Sequence, residues 1–100
     1  MDALDYPIEH FAFLTAVAQE LKKLSIQILK HEYHYQVFGS WYFTYKRGGQ
    51  LYQLVFDGKE NELRVERPTG GWDELASVHL ADRSKPTVDQ VIALIDATVK

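Results

Sequence analysis

Apolar positions along this chain change their period twice. Phe11, Leu14, Val17, Ala18, Leu21, Leu24 and Ile28 recur at the spacing of one helix face, and Glu9, Gln19, Glu20, Lys22, Lys23 and Gln27 fill the other. Asp5 is placed to cap this helix. Pro7 falls in its first turn, where a missing N–H loses no partner. The far end is open, because residues 25–29 equally suit the start of a strand. From Glu32 the period drops to two, with Tyr33, Tyr35 and Val37 alternating with Glu32, His34, Gln36 and Phe38.

Turn residues divide the rest of the chain. Gly39-Ser40 suits a two-residue type II′ turn, and Gly48-Gly49 suits a second hairpin between runs 41–47 and 50–56. Residues 57–61 form a polar turn, residues 62–67 alternate again, and Pro68-Thr69-Gly70-Gly71 breaks the pattern. In residues 72–80 Ala76, Val78 and Leu80 alternate like a fifth strand, while Trp72 to Leu75 would also fit a helical turn. Thr87 and Gln90 make a capping box after Pro86, and Val88, Val91, Ile92, Ile95 and Val99 form a second helical stripe. The expected fold class is α+β, a single domain over residues 1–100. It has an N-terminal amphipathic helix, a four- to five-stranded antiparallel β-meander and a C-terminal helix, with the helices packed on one sheet face.

The turns predict which side chains share a face. A two-residue loop at Gly48-Gly49 pairs Tyr45 with Tyr52, Phe43 with Leu54 and Trp41 with Phe56, and directly opposed residues point the same way. The Gly39-Ser40 turn adds Phe38, Gln36 and His34 to that side, and Leu63 and Val65 extend it. This is the predicted core. The opposite face should be polar in a sheet with one wet side. Glu62, Arg64 and Glu66 obey, but Tyr33, Tyr35, Tyr42, Leu51 and Val55 do not. These five are the candidate binding residues. The structural alternative is that tyrosine suits a half-buried strand, its ring packed on neighbours and its hydroxyl in water.

Composition narrows the partners. The chain has 100 residues, 46% hydrophobic, and six tyrosines among its aromatics. A formal charge of −3 weighs against duplex nucleic acid, whose binders carry a basic footprint. The absence of cysteine excludes a disulfide scaffold and any thiolate ligand or nucleophile. Acidic residues occupy the start, Met1-Asp2-Ala3-Leu4-Asp5, where a signal peptide carries positive charge, and no apolar run approaches spanning length. The expectation is a cytoplasmic protein with no membrane partner.

No motif assigns chemistry. His31 and His34 with Glu32 would share a face on a helix but not on a strand, and no third metal ligand lies near in sequence, although folding could bring His10 or His79 closer. Asp57, Glu62, Asp73 and His79 sit at element ends without a paired acid or base, and Ser25, Ser40, Ser77 and Ser84 lack an activating neighbour. The double glycines lack phosphate-loop spacing. Catalytic residues, metal ligands and cofactors are therefore none. The layout resembles that of bacterial immunity proteins and secretion chaperones in architecture alone, which many functions share. The leading expectation is a non-catalytic interaction module (adaptor, chaperone or immunity-type inhibitor) whose tyrosine-bearing face takes a protein partner or forms a homodimer. One alternative is single-stranded nucleic acid, stacked on Tyr33, Tyr35 and Tyr42 with Lys46, Arg47 and Arg64 near phosphates and Glu32, Glu62 and Glu66 opposing it. The other is a small enzyme with an unrecognised site.

Overall fold

A computed structural model describes residues 8–34, 39–81 and 85–98. Helix α1 (Ile8–Lys23) is followed by strands β1 (Gln27–His34), β2 (Ser40–Arg47), β3 (Gln50–Asp57), β4 (Glu62–Pro68) and β5 (Trp72–His79), and by helix α2 (Val88–Ala97). The five strands form one antiparallel sheet in the order β1-β2-β3-β4-β5. The segment from Trp72 is thus a strand and not a helical turn. The proposed Asp5 cap and Pro7 lie outside the described residues.

Helix α1 stops where its backbone reverses hand. Ser25 takes φ 61°, and the Ile26 and Ser25 N–H groups bond back to the carbonyls of Leu21 and Lys22 at 3.0 Å each. That double closure is a Schellman motif, and buried Ile26 packs with buried Leu21 across it. Ile28 therefore belongs to β1, not to the helix. The buried stripe is also rotated from expectation: Val17 and Leu21 are buried and Phe13 half-buried, while Phe11 is 58% exposed. Helix α2 begins at the predicted capping box, with the Gln90 N–H donating to Thr87 Oγ1 at 3.1 Å and the Thr87 N–H to Gln90 Oε1 at 2.9 Å.

The central hairpin has the predicted register, pairing Trp41 with Phe56, Phe43 with Leu54 and Tyr45 with Tyr52. Gly48 and Gly49 take φ 58° and 81°, the left-handed pair that a type I′ turn demands. Leu54 opposes Val65 and Phe56 opposes Leu63. These side chains form one core with Val17, Leu21, Val91 and Ile95, so both helices cover the same face. Phe43, Leu54, Leu63, Val65, Val17 and Val91 have no exposed surface. Burial also pushes the Tyr45 phenol up to about 12.

Strand β1 departs from expectation. Ser40 is not a turn residue; it is the first residue of β2, paired with His34, and its Oγ accepts from the Gly58 N–H at 2.9 Å. Residues 35–39 connect the strands, and only Gly39 of these is described, with φ 71°. The longer connection shifts the pairing by an odd number, which exchanges the two faces. Tyr33 and His31 oppose Trp41 and Phe43 on the helix-covered side, and His34 points away from it. Leu29 is an extra residue between the Ile28–Tyr45 and Lys30–Thr44 pairs, so Ile28 and His31 both face the helices. A second bulge interrupts β5 at Leu75, between the Val65–Ala76 and Glu66–Glu74 pairs. Both edge strands are thus kinked, a common guard against edge-to-edge pairing.

Candidate functional site on the open sheet face

No described element covers the second face of the sheet. Tyr42, Val55 and Leu51 lie on it and are half-buried by their neighbours. Tyr33, the fourth candidate, is corrected to the core side, where it packs against the buried cluster. Tyr35 lies outside the described residues. Among the described residues the apolar centre of the open face is Tyr42, Leu51 and Val55, set among charged side chains that order one another.

Two charge groups flank that centre. On β1, Lys30 Nζ lies 3.2 Å from Glu32 Oε2 and His34 Nε2 lies 3.3 Å from Glu32 Oε1. The Tyr42 hydroxyl and Lys30 hold the Glu32 carboxylate below its ordinary pKa. The His34 ring stacks on Tyr42 with centroids 6.2 Å apart. On β4, Arg64 meets three carboxylates: Nη1 lies 3.1 Å from Glu62 and 3.5 Å from Asp57, and Nε lies 3.2 Å from Glu66. Partial burial acts to lower the guanidinium pKa, but hydrogen bonds to Glu62 and Glu66 outweigh it and raise the pKa. Gln53 joins the second group, only 9% exposed, its Nε2 donating to Glu66 Oε1 at 2.9 Å. Buried polar atoms with partners in place make a rigid surface.

Chemistry on this surface is limited by how fully its carboxylates are engaged. Asp57 accepts the Lys59 and Glu60 N–H groups at 3.0 and 3.1 Å, as turn chemistry requires, besides meeting Arg64. Asp73 is bonded to Thr69 across the β4–β5 turn. Glu62 has His79 at 3.8 Å, but that imidazole is 71% exposed. Elsewhere a shallow groove of about 350 Å³ between α1 and β1 is lined by Leu14, Ala18, Lys22 and Ile28 among others, with no acid–base pair in its wall.

His31 and His34 point to opposite faces, as strand geometry dictates. Folding does bring His10 to His31, Nε2 to Nε2 at 3.0 Å. Ring centroids 5.1 Å apart at an interplanar angle of 27° put the imidazoles edge to edge, one Nε2–H donating to the other's lone pair. Two imidazoles are by themselves fewer ligands than the three or four protein groups that a zinc site takes. Tyr33 stacks on His10 at 4.5 Å, and Trp41 lies 5.4 Å from it. Burial, then His31 and Lys85, lower His10 to about 4; burial lowers His31 to about 4 against the opposing pull of Glu32. Among the described residues, no group of three or more His, Asp or Glu converges as metal ligands would. Sequence pattern alone does not reveal this histidine contact. Its one signal is the spacing of His10 to Phe13, Leu14 and Val17, which puts the ring on the buried helix face.

No helix among the described residues is long and apolar enough to cross a membrane. Comparison of the chain with protein-family models, with curated proteins and with solved structures finds no match.

Proposed function

We propose that this protein is a non-catalytic interaction module that binds another protein surface through the open face of its sheet, centred on Tyr42, Leu51 and Val55. The observation that carries this reading is a face left uncovered by both helices whose side chains are nonetheless held in place by one another. A surface ordered before contact loses less side-chain entropy on binding, and tyrosine is enriched in such contacts. Glu32, Asp57, Glu62 and Glu66 on the same face oppose a polyanion, which favours protein over single-stranded nucleic acid as the partner.

The test is a photo-crosslinking residue placed at Thr44, on the open face, or at Ala93, an exposed position of α2, in cells that make the protein naturally. A protein adduct at Thr44 and none at Ala93 is expected. Adducts to nucleic acid at Thr44, or protein adducts at Ala93 alone, would overturn the reading.

A further inference from the structure

We propose, resting on the reading above, that the occupant of the open face is a second copy of this chain, docked sheet against sheet about a two-fold axis parallel to β3. Charge on the face is polarised across the strands. Toward β1 and β2 lie Lys30 and Lys46 with Glu32, paired to Lys30 at 3.2 Å, a net positive side; toward β4 and β5 lie Glu62, Glu66 and Glu74 with Arg64, a net negative side. A surface polarised in this way complements itself only if the rotation lays one side over the other.

An axis along the strands does so. It keeps each ladder row in place and sets β1 of one copy over β5 of the other. In the row Lys30–Thr44–Gln53–Glu66–Glu74, Lys30 then faces the partner's Glu74. In the row Glu32–Tyr42–Val55–Arg64–Ser77, Tyr42 faces the partner's Arg64, a cation over an aromatic ring, and Val55 meets its own copy at the axis. Leu51, on the same side of β3, meets its own copy as well. Asp57 also approaches its own copy, with Arg64 3.5 Å away to offset the repulsion. An axis across the strands would instead stack carboxylates on carboxylates.

Area agrees with a modest interface. Five strands of about eight residues, at ~4.8 Å between strands and ~3.4 Å per residue, present roughly 600 Å². Two copies then bury roughly 1,200 Å², the lower bound for a specific complex, so a reversible dimer with a micromolar Kd is expected.

Sedimentation velocity from about 1 to about 300 μM tests this directly. Lys30→Glu and Glu74→Lys are expected to weaken the dimer about tenfold or more each, and the double variant to restore it, because the swapped charges meet again across the axis. Both positions are exposed, so the fold is retained. Wild-type dimer that weakens in high salt adds support that needs no variant. A monomer at every concentration, or a dimer indifferent to both reversals, overturns the proposal. In that event a Thr44 adduct with a different protein leaves the interaction reading standing, whereas no protein adduct removes both.

Discussion

Single side chains separate what holds this fold from what is left outside it. Leu54 has no exposed surface and sits between Phe43 and Val65, so Leu54→Ala is expected to cost about 3 kcal/mol in chemical denaturation. The histidine pair makes a different prediction. Each imidazole is held at about 4 in the fold against an ordinary 6.5. At pH 7 the fold carries neither proton and the unfolded chain only about a quarter of each, so nearly all of the stability is present. As pH falls from about 6.5 to about 4 the unfolded chain takes up protons that the fold refuses, so stability declines through that window. Allowing for solvent screening of half-exposed rings, the pair accounts for roughly 2 kcal/mol lost by pH 4. His10→Phe is expected to flatten this acid limb when unfolding is compared at pH 7 and about pH 4.5. An unchanged limb would place the acid sensitivity elsewhere. Twenty-one residues separate the two histidines, and nothing in strand alternation announces that contact.

At the scale of elements, local chemistry is legible wherever it acts within a few residues. The Gly48-Gly49 turn sets the β2–β3 register, and that register separates Trp41, Phe43 and Tyr45 from Tyr42, Thr44 and Lys46. Gly49→Ala places a Cβ in open space but at φ 81°, so a loss of about 1 kcal/mol from backbone strain is expected on thermal unfolding. Thr87→Ala removes the hydroxyl from the α2 capping box and is expected to cost about 1 kcal/mol by the same measurement. Strand β1 is not legible, for a physical reason. Its faces depend on the length of the connection to β2 and on the bulge at Leu29, and alternation alone reports neither. Tyr33 is assigned to the wrong side as a result. The end of α1 is equally hidden, because a serine in place of the usual glycine takes the left-handed position at Ser25.

For the whole molecule, the α+β class, element order and shared helix face follow from two changes of hydrophobic period and four turn signals. The open face is less direct: the hairpin places Tyr42, Leu51 and Val55 on it, whereas the Arg64 carboxylate cluster and the Gln53–Glu66 bond emerge only once β3 and β4 lie side by side. That these residues serve contact and not folding is the central claim, and Tyr42→Ser tests it most directly. The ring lies outside the core, so unfolding free energy is expected to change by about 1 kcal/mol or less. The decisive measurement is the yield of the protein adduct formed from Thr44 in Tyr42→Ser protein that remains folded. Loss of most of that adduct is expected, and an adduct formed at undiminished yield would contradict the claim.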